Sequence, residues 1–141
     1  MRKLLLKILY PRHIELSLKQ VQELLESNKN LIVGGSVALY LQGYKLKRFK
    51  NWTGDIDLIS IKYIDVKLDK DPQQLPSNCD FQEQGTYQGK KVDVRFDKSA
   101  THKIIFFRGY TYKVCDIDTI IQAKRSYNRT KDINDLIELG L

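Results

Sequence analysis

The chain has 141 residues, 42% hydrophobic and 29% charged, a composition that excludes a disordered segment and fits a single globular domain over 1–141. Lys and Arg number 24 against 17 Asp and Glu, and the resulting charge of +7 favours a polyanionic partner such as RNA, DNA or a nucleotide phosphate. No run of about 18 apolar residues occurs, which excludes a spanning helix and any membrane partner of that kind.

The opening Met1–Pro11 looks briefly like a secretory signal, but Lys7 breaks its apolar run and no small-residue cleavage site follows, so it reads as structural. Cys79 and Cys115 are isolated, and only His13 and His102 accompany them. Neither a zinc site nor a disulfide scaffold is expected, and the cytoplasm is the expected compartment.

From Ile14 to Asn28, apolar residues fall at Ile14, Leu18, Val21 and Leu25, which predicts one amphipathic helix. Leu31-Ile32-Val33 reads as a short buried strand broken by Gly34-Gly35. Ser36 then caps a helix running to about Gln42. Lys45 to Trp52 interleaves cations with Phe49 and Trp52 and reads as an exposed loop suited to RNA backbone and base stacking; a plain solvated loop is the alternative.

Strand signal returns over Asp55–Ile61, and Asp69–Asn78, with Pro72 and Pro76, reads as a loop. Phe81–Gln84, Thr86–Gln88 and Val92–Phe96 alternate as strands do, with a turn at Gly89-Lys90. Ile104–Phe107 and Tyr110–Val114 form a hairpin about Arg108-Gly109. Ile117–Tyr127 and about Lys131–Leu139 are the closing helices. Helices and strands are interspersed, so the fold class expected is α+β (mixed α/β), a central mixed sheet flanked by helices with a C-terminal helical pair.

Three features carry chemistry. Gly34-Gly35-Ser36 joins a strand to a helix, where glycine lets backbone N–H groups approach an anion closely, though capping alone would also explain the serine. Asp55 and Asp57 alternate along a strand onto one face, either solvated or sharing a hard cation such as Mg²⁺. Asp93, between Val92 and Val94, is a third acid in a strand buried on at least one face; it is either paired with Lys91 or Arg95 or part of the same site. Taken together they suit metal-assisted phosphoryl or nucleotidyl transfer.

Leu31-Ile32-Val33-Gly34-Gly35-Ser36-Val37-Ala38-Leu39-Tyr40-Leu41, followed by Gly54-Asp55-Ile56-Asp57-Leu58, resembles the polymerase-β-like nucleotidyltransferase superfamily. With Ala123-Lys124-Arg125 and Arg129-Thr130-Lys131-Asp132-Ile133-Asn134-Asp135-Leu136, the chain is similar to the type IV abortive-infection nucleotidyltransferase toxins from Leu31 to Leu139. The resemblance implies a nucleotidyltransferase fold, transfer of NMP from an NTP to an acceptor hydroxyl, and a toxin-like role with an antitoxin protein as a partner; the +7 charge and the Lys45–Trp52 loop point to RNA or tRNA as the acceptor. The resemblance also implies nucleotide contacts at Gly34, Gly35, Ser36, Lys124 and Asp132. Asp55, Asp57 and Asp93 would be Mg²⁺ ligands and, with Lys124, the catalytic residues. The spacer from Val37 to Gly54 holds 18 residues, longer than the compact signature, and Lys50, Asn51, Trp52 and Thr53 stand where such toxins carry an Arg. The alternative is a catalytically inert binding or regulatory module of the same fold.

Lys124 lies at +7, +4 and +3 from Ile117, Ile120 and Ile121, which turns it towards the core boundary. Its ammonium either snorkels to water or enters the cleft with Asp132 orienting it, and in the second case Lys124→Met is expected to keep stability and lose transfer.

Overall fold

The computed structural model describes residues 13–62, 66–69 and 81–141; the opening Met1–Pro11, nearly all of the 69–78 loop, and Cys79 lie outside them. In chain order the elements are α1 (Leu18–Ser27), β1 (Leu31–Val33), α2 (Gly35–Leu41), β2 (Ile56–Ser60), β3 (Phe81–Tyr87) and β4 (Lys90–Phe96). They are followed by β5 (His102–Phe107), β6 (Tyr110–Cys115), α3 (Ile117–Tyr127) and α4 (Thr130–Glu138). The result is a mixed α+β fold: six strands in one sheet, ordered β3-β4-β2-β1-β6-β5, and four α-helices among the described residues.

The sheet is mixed because its two antiparallel hairpins join a centre that also contains parallel pairs. β1 runs antiparallel to β2 and parallel to β6, while β2 runs parallel to β4. Both hairpins, β3–β4 and β5–β6, close through two residues of positive φ: Gln88 at 50° with Gly89 at 79°, and Arg108 at 47° with Gly109 at 81°. Paired left-handed residues give a turn whose twist matches that of the strands. The first turn is therefore Gln88-Gly89, one residue earlier than Gly89-Lys90.

Strand alternation divides β2 and β4 into two faces. Ile56 and Leu58 lie level with Val92 and Val94 and are almost wholly buried in the core. Asp57 and Ile59 lie level with Asp93 and Arg95 on the opposite face. That second face bears the candidate site.

Two local expectations are corrected. The helix expected from Ile14 begins as a 3-10 segment, His13–Ser17, before α1 takes over; Ser17 turns its hydroxyl back on the Ile14 carbonyl at 2.7 Å. Lys45–Trp52 is not an exposed stacking loop. It contains a 3-10 turn, Lys47–Phe49, and Leu46, Phe49 and Trp52 are all core residues. Their spacing of three matches the 3-10 period, which brings them to one side while Lys45, Lys47 and Lys50 face water. Phe49 packs edge-on to Tyr40 at 6.0 Å, and the Lys90 ammonium lies 4.7 Å from the centre of the Trp52 ring.

Candidate active site

The acids are set by the register of two neighbouring strands. Asp57 on β2 is directly paired with Asp93 on β4, so their carboxyls share a face at adjacent-strand distance. Asp55, expected as the first residue of the strand, lies instead in the coil just ahead of β2, where Lys91 Nζ approaches it at 3.9 Å. The working pair is thus lateral, Asp57 with Asp93, and Asp55 joins it from the strand entry.

Burial, reinforced by the charges of Asp93 and Asp55, pushes the Asp57 carboxyl up to about 6. Burial and Asp55 raise Asp93 as well. The Oδ1 of Asp93 is buried and has no hydrogen-bond partner. Acids in this state are short of positive charge, and a bound cation supplies it. Their oxygens suit a hard ion such as Mg²⁺, which is usually held by one or two carboxylates together with water and substrate phosphates. Among the described residues no group of three or more His, Cys, Asp or Glu side chains is arranged to hold a metal ion by itself.

The Gly34–Ser36 turn is seated directly on this pair. The Gly34 N–H donates to the Asp57 carbonyl at 2.8 Å, which continues the β1–β2 pairing by one residue. That amide is committed and is not a phosphate donor, a correction to its expected role. Gly35 has a left-handed φ of +56°, and a Cβ there would fall inside the Asp57 carboxylate, 3.0 Å from its Cγ. Both facts demand glycine. The helix cap is Gly34 rather than Ser36, with no side-chain capping bond. Ser36 instead sits in the first turn and accepts a 2.7 Å hydrogen bond from Arg48 Nη2.

Across the cavity, α3 and α4 present a network of buried charge. Lys124 is only 7% exposed, and Asp132 and Asp135 are 1% and 2% exposed. Lys124 Nζ donates to Asp135 Oδ2 at 2.7 Å and stands 3.8 Å from Asp132. The guanidinium of Arg48 grips the two carboxylate oxygens of Asp135 at 2.8 and 2.7 Å, a bidentate pair. Asp132 belongs mainly to Arg129, whose Nε donates to it at 2.7 Å and whose backbone it caps. Burial alone would raise both carboxyls; the bonds from Arg48 and Lys124 to Asp135, and from Arg129 to Asp132, outweigh it and hold them below the usual range. Asp132 does face Lys124, as expected, but Asp135 is the nearer partner and accepts the ammonium's hydrogen bond.

Gly34, Gly35, Ser36, Asp55, Asp57, Asp93, Lys124 and Asp132 all line one cavity of about 420 Å³. The fold brings together every candidate catalytic, nucleotide-binding and metal residue named from the sequence, while the Lys45–Trp52 segment does not line the cavity. Sequence reasoning weighed Arg95 only as a partner of Asp93 and assigned no role to Tyr127, Arg129 and Lys131, which line the same cavity, nor to the Arg48–Asp135 pair behind it. Arg129, Lys131 and Asp135 stand within the quoted Arg-Thr-Lys-Asp run, and that was the available signal. Arg48 has no such signal, because its partner is 87 residues away.

Compared with protein-family models, with curated proteins and with solved structures, the chain matches none.

Proposed function

We propose that the chain is a Mg²⁺-dependent nucleotidyltransferase of the polymerase-β-like fold, moving NMP from an NTP to an acceptor hydroxyl on RNA. The observation that carries this reading is the seating of Gly35 on Asp57. A left-handed glycine packed against the Asp57 carboxylate and a lateral pair of carboxyls then share one cavity wall. Solvated or salt-bridged acids would not need a turn free of side chains pressed against them.

In this reading Asp55, Asp57 and Asp93 hold Mg²⁺, which when bound neutralises the charge that develops on the phosphates. The backbone at Gly35 and Ser36 receives the triphosphate, and Arg48 fixes the Ser36 hydroxyl. Arg129 and Lys131 supply positive charge from the opposite wall, where the field of both already reaches Asp57. The acceptor oxygen bonds to the α-phosphorus as the bond to the bridging oxygen of pyrophosphate breaks, and Asp93 Oδ1 takes the hydroxyl proton. Catalysis of this kind is chiefly positioning and charge stabilisation. A role as a toxin restrained by an antitoxin protein rests on the resemblance alone. The test is incubation with each labelled NTP, Mg²⁺ and total cellular RNA: RNA becomes labelled with the native chain and not with Asp57→Asn.

One observation favours the inert-module reading. Lys124 is spent on Asp135 and Asp132 rather than offered to a ligand. That reading predicts no thermal shift on adding Mg²⁺ with any NTP, whereas the transferase reading predicts stabilisation.

A further inference from the structure

The core positions of Phe49 and Trp52 remove the aromatics expected to stack on a base. Tyr127 is the exposed ring that the cavity does offer. It is 43% exposed, at the last turn of α3, and it lines the cavity that holds Asp57 and Asp93. The other strongly exposed aromatics among the described residues, Tyr44 and Phe106, do not line it.

Two guanidiniums flank the Tyr127 ring. Arg129 lies over it at 5.1 Å from the ring centre, and Arg95 Nη1 is 3.5 Å from its hydroxyl. Arg95 shares a strand face with Asp93, two residues away, and Arg129 reaches Asp57 through its field. Directly after the ring, Asn128 ends α3 with a left-handed φ of 51° and leads into Arg129. A planar, solvent-facing ring with cations at its edge and over its face, at the mouth of an acid-floored cavity, matches an unpaired nucleobase with phosphates attached.

We propose that Tyr127 is the stacking platform for that nucleobase, with Arg95 and Arg129 engaging the attached phosphate or the base edge. The proposal rests on the nucleotidyltransferase reading. The base belongs either to the NTP or to the unpaired end of the acceptor RNA, and the chemistry is the same for both.

The experiment compares the native chain, Tyr127→Ala and Tyr127→Phe for Mg²⁺-dependent binding of ATP, GTP, CTP, UTP, tripolyphosphate and a short unstructured oligoribonucleotide. Tyr127 is exposed and outside the core, so both variants should fold, and their circular dichroism is recorded alongside. Stacking on the NTP predicts that Tyr127→Ala weakens nucleotide binding roughly tenfold to hundredfold. Tripolyphosphate, which has no base, should bind unchanged, and Tyr127→Phe should stay near native. Stacking on the acceptor predicts the same loss for the oligoribonucleotide alone. Tripolyphosphate binding with nucleotide and oligoribonucleotide affinities untouched in Tyr127→Ala would overturn the platform and leave the phosphate site standing. A native chain that binds neither tripolyphosphate nor any NTP would overturn the nucleotidyltransferase reading, and the platform with it.

Discussion

Asp57 is asked to do two opposed things, and the opposition can be measured. Held at about 6 by burial and by its acidic neighbours, it binds a proton more tightly in the fold than in the open chain. Its charge therefore works against the metal-free fold at neutral pH. Asp57→Asn removes that charge and should raise the melting temperature in EDTA by about 3–8 °C, the equivalent of roughly 1–2 kcal/mol. The same variant should lose the stabilisation that Mg²⁺ gives the native chain, and differential scanning calorimetry with and without Mg²⁺ checks both. An unchanged or lower melting temperature in EDTA would mean that Asp57 is not under strain. Gly35→Ala tests the other side of the contact. It forces a side chain into a left-handed position and against the Asp57 carboxyl, and should cost about 1–3 kcal/mol in urea denaturation while weakening NTP binding.

Among the elements, the α3–α4 pair is joined to the segment before β2 through a buried carboxylate. Asp135 receives Arg48 from the segment before β2 and Lys124 from α3. Removing it strands two cations, so Asp135→Ala should destabilise the chain by about 3–5 kcal/mol in urea titration. Lys124→Met, expected from sequence to leave stability intact, should instead cost about 1–3 kcal/mol, because the ammonium bonds a buried acid rather than projecting into an open cleft. The sequence made the helices themselves legible: α3 has the bounds that its apolar spacing indicated, and α4 begins one residue earlier than expected and ends one earlier. Both hairpins were legible from alternation and glycine. What the helices grip was not, because side-chain partners 87 and 91 residues apart leave no periodic trace. The Lys45–Trp52 segment was misread for a different reason. Its Leu46-Phe49-Trp52 spacing of three is a burial signal, but composition drew attention to the cations between them.

For the molecule as a whole, two sets of acids pull stability in opposite directions with pH. Asp57 has its carboxyl raised to about 6, so its contribution declines as pH climbs through that value, and Asp93, also raised, acts in the same direction. Asp132 and Asp135 are depressed, so theirs is present above about 4 and lost as pH falls further. Through the raised pair, the metal-free chain should lose stability as pH rises through about 6, and Mg²⁺ should reduce that loss by favouring the ionised carboxylates; melts across pH in EDTA and in Mg²⁺ read this directly. No helix among the described residues is long and apolar enough to cross a membrane. The sheet centre was legible only as separate strands. The register that pairs Asp57 with Asp93 depends on a parallel β2–β4 contact across the long connection between them, and that register is what turns scattered acids into a site.

The central claim, that the cavity transfers a nucleoside monophosphate, is tested most directly by following two labels on the same NTP. The chain is incubated with Mg²⁺, RNA and NTP carrying phosphorus label at either the α or the γ position. The account predicts that α-label becomes RNA-bound while γ-label leaves as pyrophosphate, and that Asp57→Asn and Asp93→Asn abolish both events. RNA labelled from the γ position, release of γ-label as free phosphate without RNA labelling, or no reaction with any NTP while the chain remains folded would contradict it.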